Sequence, residues 1–574
     1  MIMSLIDEKT RFELRSPSAV LCGSDMNGAW GTRHSFARTL LRRAASHHWT
    51  VSKNRLELDE LGRGTVVFTV DVEGHELKFI AFCQALEESE RTDRVIASAW
   101  DVTAALLEGE LTPERETELR RNVTVQEQGR TDPETVIMTR ANRSARFFDY
   151  VSDCLAAGTQ PDVATIGPSP YLIRSTAFYG NGKFGLKELS AFPAGHPLAV
   201  PYRSQMLTAW LMRELSMDLV EHVARAKAHA AGTVAVPLDA AWGRYFGLGN
   251  ATGLGMVPFL VNHPGYLDAW CRLRELPLAA GLAADYAPEH PDLARIAELL
   301  ERADQHLAEK ADLKTVPFLS TSSIRPQLGQ LLRELQDFRT SGGTAEPVLA
   351  RLHEHAAGLS PEARGLFASI VIELRSDFDA EADALLTVAA PTAFNPAMRC
   401  DELSALLTQN YAWTQSYDFT AADCSSYYWY TSADSEEPRR EQRSKLAQGT
   451  VEHCTDVARR VNALAGDLGG FSAEASVAEF LLAHPNHRFA AERIQQTRGY
   501  QYGDLQDNLV DGKFLPLSTQ RFQLATYGMN NFSPQSTDWV RVTLFSGAPR
   551  VAEVMSGQDD DDWLFPLAPE GESK

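Results

Sequence analysis

TVVFTVDVEGHELKFIAFC, residues 65–83, holds two runs of alternating apolar and polar side chains around Glu73-Gly74. A period of two sends successive side chains to opposite faces, and a glycine in the connection admits a tight turn, so the stretch reads as a β-hairpin. Working outward, Trp49–Leu58 (WTVSKNRLEL) alternates in the same way and Gly62–Gly64 closes a second turn. The result is a three-stranded antiparallel meander. Ahead of it, CGSDMNGAWGT (residues 22–32) is a loop by composition, and Thr32 or Ser35 caps a helix that runs to about His48.

Downstream, Thr92–Arg121 has helical spacing, Val123–Val125 and Thr135–Thr139 read as short strands, and Ser144–Ala157 as a helix. GTQPDVATIGPSP (158–170) interrupts regular structure and marks a boundary. Helical periods then dominate from 265 to 388, in segments Gly265–Leu282, Pro291–Leu313, Gln327–Arg339, Glu346–Ala357 and Pro361–Val388. Alternation returns in Arg521–Tyr527 and Asp538–Phe545, with Val551–Met555 after them. The expected fold is therefore α+β and predominantly helical, with an N-terminal antiparallel β-meander and flanking helices, a large helical middle region and C-terminal strands. Four regions follow: residues 1–160, 161–275, 276–390 and 391–574.

The chain has 574 residues, 44% hydrophobic and 23% charged, a soluble globular composition large enough for several packed units. Its formal charge of −21 supplies no general field for nucleic acid or anionic lipid. Asp7, Glu8 and Lys9 interrupt the place where a signal peptide needs its apolar core. A cytoplasmic protein without nucleic-acid or membrane partners is expected, with a homodimer as the ordinary state for an enzyme of this size. Seven cysteines at long spacings, with no CxxC, read as reduced thiols.

Chemistry is concentrated in three places. YLIRSTAFYGNGK (171–183) is a strand that ends in an Asn-Gly turn and a lysine. Backbone N–H groups of such a turn can hold an anion, with Lys183 adding charge, although a plain hairpin satisfies the same residues. Arg174 and Asn181 are assigned to substrate binding, and Tyr179 and Lys183 to catalysis. The second place is a helix from about Ser204 to Ala231, apolar on most sides, on which Glu214, Asp218 and His222 fall at i, i+4 and i+8. Buried ionisable groups persist as ion pairs, here with Arg225, or as working acids and bases. Asp218 and His222 are the acid/base candidates. Their spacing is not that of HExxH or of a Glu-x-x-His di-iron motif, so no metal ligand is assigned.

GLGNATGLG (247–255) is thin backbone able to approach a ligand or a helix closely, with Asn250 and Thr252 as substrate contacts. In the third place, an aromatic tract around Tyr427–Tyr430 precedes Arg439, Arg440 and Arg443 at the opening of a helix, where cations oppose the dipole and call for an anion. Cys424 is a nucleophile only if a base activates it. His484-Pro485-Asn486-His487-Arg488 is a polar loop with ligand-binding chemistry and no diagnostic order.

Together these residues point to an enzyme using general acid/base chemistry on a small polar, anionic organic substrate, of lyase or hydrolase type. The cofactor is not specified by sequence. Alternatives are a flavin- or nucleotide-dependent enzyme, with GLGNATGLG near the phosphates, and a noncatalytic helical scaffold.

Overall fold

The computed structural model describes residues 12–91, 99–125, 135–167, 170–179, 192–193, 195–200, 202–253, 264–310, 321–388, 394–416, 427–429, 451–496, 500–503, 516–534, 539–557 and 562–569. Strands β1 (Thr50–Leu58), β2 (Gly64–Val72), β3 (His75–Cys83), β4 (Val102–Glu108), β5 (Thr135–Arg143) and β6 (Tyr171–Tyr179) pair in chain order, each antiparallel to the last. β7 (Gly247–Gly253) joins β6 in parallel. β8 (Tyr427–Trp429) and β9 (Val451–His453) form a separate ladder. β10 (Met529–Pro534) and β11 (Trp539–Leu544) complete the main sheet through β11–β7 pairing, so the described strands make one nine-stranded sheet of order β1-β2-β3-β4-β5-β6-β7-β11-β10. The chain is α+β and helix-rich, and the expected meander is its N-terminal edge.

The main core lies on the inner face, where Phe68, Phe79, Ala104 and Leu106 meet helical side chains. A smaller cluster of Ile80, Phe82, Ala105, Leu107 and Met138 covers part of the outer face, against Leu119. Because both faces of β4 are buried, VTAALLE shows no alternation. That is why the segment expected to be helical from Thr92 instead contains a strand, and the helix is Pro113–Val125.

The helix Arg203–Ala231 crosses the inner face, and Leu207, Leu211, Leu215 and Leu219 on it are fully buried. The middle region is helical as expected: Pro264–Ala283, Pro291–Ala308, Thr321–Thr340, Val348–Ala357 and Pro361–Glu373, packed around their own apolar cluster. The last expected span breaks after Glu373, and Asp379–Val388 is a distinct helix. Arg521–Tyr527 lies in a helix, Pro516–Tyr527, and Val551–Met555 is also helical. The alternation at Arg521–Tyr527 misleads because Gln520, Arg521, Gln523 and Thr526 are themselves buried among apolar neighbours. Met529–Asn531, between the two stretches expected to be strands, open strand β10. Among the described residues no helix is long and apolar enough to cross a membrane, and the described cysteines Cys22, Cys83, Cys154, Cys271 and Cys400 are free.

The N-terminal segment is pinned to the helical region by two glycines. A Cβ on Gly28 would lie 1.9 Å from the Pro361 carbonyl oxygen, and one on Gly365 would lie 1.7 Å from that of Gly28. Backbone on both sides cannot yield as a side chain does. Gly365→Ala is expected to lower stability by about 1–3 kcal/mol through overpacking. Gly466→Ala, inside the helix Cys454–Gly469 with open space around it, is expected to gain up to about 1 kcal/mol from helix propensity. Thermal unfolding of the two variants checks the contrast, and equal midpoints would count against the close contact.

Candidate functional site

Ladder partners in neighbouring strands share a face of the sheet. Thr103 pairs with Arg140, two positions along from the Ala105–Met138 pair that belongs to the outer cluster, so Arg140 stands on the outer face. A bulge between Arg140 and Ala141 resets the register. Beyond it Ala141 pairs with Ser175 and packs in the inner core, and the next outward row runs Asn142, Arg174, Gly249, Thr543, Asn531 across β5, β6, β7, β11 and β10. Arg541, two residues from Thr543 on an unbroken stretch of ladder, stands on the same face.

Arg140, Arg174 and Arg541 therefore share one patch, with about 10 Å between β6 and β11 at the usual strand spacing. The patch is not an ordinary solvent face. Asn142, Arg174, Asn531 and Thr543 are all buried. Arg140 lies over the Trp100 ring, 4.2 Å from its centroid, and Tyr171 lies over Gly249, where a Cβ would come within 2.6 Å of the ring. Only glycine leaves room for that ring. Arg146 Nη2 donates to Tyr171 Oη at 3.2 Å and fixes its position. The patch thus combines guanidinium forks, neutral amide and hydroxyl groups and two aromatic walls.

Guanidinium forks match the geometry of carboxylate and phosphate. Comparison with protein-family models, curated proteins and solved structures finds no match to this chain.

Asp218 and His222 lie elsewhere. Their helix packs on the inner face, so the sheet stands between them and Arg174. Lys53 Nζ donates to Glu214 Oε1 at 2.9 Å and to Asp218 Oδ1 at 2.7 Å, and Arg550 Nη2 donates to Glu214 Oε1 at 2.7 Å. Charge neutralisation comes from these two distant cations, while Arg225 is exposed and Glu221 accepts the Leu238 N–H. Burial pushes the Asp218 carboxyl above its usual range against the pull of Lys53, and its buried Oδ2 has no hydrogen bond among the described residues. His222 Nε2 lies 2.8 Å from the Asp59 carbonyl oxygen, a bond that ties the helix to the β1–β2 turn.

Asn250 also faces inward, where its Nδ2 donates to Ser175 Oγ at 3.1 Å, and its buried Oδ1 accepts no bond among the described residues. Thr252 pairs through its backbone with Val540, and Tyr179 with Met138. Asn181, Lys183, Cys424, Arg439, Arg440 and Arg443 lie outside the described residues. Of the residues singled out from sequence, the outer patch thus contains Arg174. Arg140 and Arg541 were not singled out. Their signal was present as charged positions in otherwise β-like runs, TVIMTRANR and WVRVTL, which alone reads as a solvated strand face.

Proposed function

We propose that this chain is a cytoplasmic enzyme whose substrate is a small organic anion, bound over the outer sheet face by Arg140, Arg174 and Arg541. The observation behind this reading is the guanidinium patch with buried Asn142, Thr543 and Asn531 beside it. A carboxylate or phosphate docks on the forks, Trp100 and Tyr171 flank its carbon frame, and the amide and hydroxyl groups select its orientation. Acid/base chemistry of lyase or hydrolase type belongs to Tyr179, at the end of the strand that carries Arg174, and to Lys183 just beyond it. Asp218 and His222, across the sheet, have no part in this site.

Thermal-shift screening of the purified chain against small carboxylates and phosphate esters tests the reading. A ligand at a hundred times its dissociation constant stabilises the fold by about 2.7 kcal/mol, a readily measured shift in midpoint. The expected result is a stabilising anion whose effect disappears in Arg174→Gln and in Arg541→Gln. A shift that survives in both variants, or no stabilising anion at all, would remove the assignment.

A further inference from the structure

Among the described residues, two side-chain clusters offer two imidazoles and a carboxylate with their ligand atoms within 4.8 Å of one another: His75, Glu108 and His196, and Asp467, His484 and His487. Tautomer chemistry separates them. In the first, the backbone N–H of Leu198 donates to His196 Nδ1 at 3.0 Å, so the neutral ring keeps its proton on Nε2, the atom facing Glu108 at 3.4 Å. A metal needs that lone pair and finds a proton instead. In the second cluster, His487 Nε2 lies 2.7 Å and His484 Nδ1 3.5 Å from the same oxygen, Asp467 Oδ2. Among the described residues nothing donates to the outer nitrogen of either ring, so protons can sit there; the inward lone pair of His484 is then open, and that of His487 meets only the Asn486 side-chain amide at 3.4 Å, a long bond that a metal can displace.

We infer that Asp467, His484 and His487 form a binding site for a divalent transition metal of the zinc class. Metal–nitrogen and metal–oxygen bonds of 2.0–2.2 Å in tetrahedral geometry put ligand atoms about 3.3 Å apart, and the two contacts to Oδ2 lie on either side of that value. Imidazole with one carboxylate suits zinc, cobalt, nickel or ferrous iron better than calcium or magnesium, which prefer all-oxygen sets.

The rings are held in advance. Phe480 stacks on His484 at 5.0 Å and on His487 at 5.8 Å, and Phe471 meets Phe480 edge-on at 5.5 Å. Phe480 is itself fixed by the helix Val477–Ala483, whose start is closed by the reciprocal Ser476–Glu479 capping box. Pro485 begins the short turn that brings His487 back toward His484. One side of the cluster is open: the Asp467 side chain is 46% exposed and that of His484 33%, while His487 is buried. Water or a small ligand can therefore complete the coordination, as in sites with three protein ligands.

The test is calorimetric titration of the chelator-treated full chain with Zn²⁺, with visible absorption of the Co²⁺ form as a second readout. Binding of a single tight equivalent is expected. Asp467→Asn and His484→Gln alter partly exposed side chains, so the fold survives, and each should weaken binding by roughly tenfold or more. His75→Gln should leave it unchanged. Absence of tight Zn²⁺ binding in the parent chain, unchanged affinity in both cluster variants, or loss only in His75→Gln would overturn the site.

Discussion

Arg213→Met is expected to leave a chain that unfolds at far lower urea concentration than the parent or fails to accumulate as folded protein. Arg213 is fully buried on the inner-face helix, and among the described residues its hydrogen bonds all run to backbone carbonyls. Nε donates to Phe246 O at 2.7 Å, Nη1 to Pro549 O at 3.0 Å, and Nη2 to Gly243 O and Ala548 O, both at 2.8 Å, and to Arg244 O at 3.2 Å. One side chain thus ties the helix to the segment before β7 and to the segment after β11. Methionine keeps much of the volume and provides no donor.

Two of these acceptors have a substitute, since Trp210 Nε1 also donates to Pro549 O and Gly547 N to Arg244 O. Gly243, Phe246 and Ala548 lose the bond supplied by Arg213, and each buried acceptor left unmade costs about 1–3 kcal/mol. The sum, roughly 4 kcal/mol or more, is a large part of the 5–15 kcal/mol that typically separates folded from unfolded protein. Arg213→Lys, with its donors on one nitrogen, cannot span acceptors on two segments and should fall between parent and Arg213→Met. Urea denaturation followed by circular dichroism measures the series. A loss below about 1 kcal/mol in Arg213→Met would mean that water or local shifts satisfy those carbonyls.

How much of this was legible in sequence depended on whether a segment had one wet face. The β1–β3 edge was readable because one face of β1 remains largely open, so polar residues mark it. β4 was not, since both its faces are covered, and Ala-Leu-rich strand without alternation cannot be told from buried helix. β7, GLGNATG, reads as thin backbone for close approach to a ligand or a helix because four of its residues have little apolar surface, and its strand state is set by pairing with β6 and β11. The buried helix and its acidic residues were visible from spacing alone. Their partners were not: Lys53 and Arg550 lie 161 and 336 residues from Glu214, and only the sheet's closure through β11 brings Arg550 back. The same holds for the arginine patch, whose members come from three strands far apart in the chain.

Acid should loosen the fold through Glu214, and Glu214→Gln should remove most of that sensitivity. Glu214 is buried, which by itself would raise its pKa, yet the hydrogen bonds and charge of Arg550 and the charge of Lys53 outweigh burial and bring it from 4.5 down to about 2. The folded state therefore holds this proton less tightly than the unfolded chain. Its stabilising contribution is complete above the ordinary value of 4.5 and is lost as pH falls toward about 2. The full difference corresponds to about 3 kcal/mol. Asp218 works in the opposite sense, because its raised pKa means that ionised Asp218 costs the fold something above its ordinary range and that this cost fades on acidification. The net acid loss is therefore smaller than Glu214 alone would give. At neutral pH Glu214→Gln leaves Arg550 and Lys53 with Asp218 alone, and breaking a buried pair in this way costs about 3–5 kcal/mol. Between pH 4.5 and pH 2.5 the parent should approach the variant in stability, because protonation makes in the parent the change that glutamine has already made. Urea midpoints of both proteins at pH 7 and at pH 3 decide it: parallel curves with a constant gap would show that Glu214 is not the group that titrates, and convergence would place the acid weakness of this fold at the junction of β1, the inner-face helix and the segment after β11.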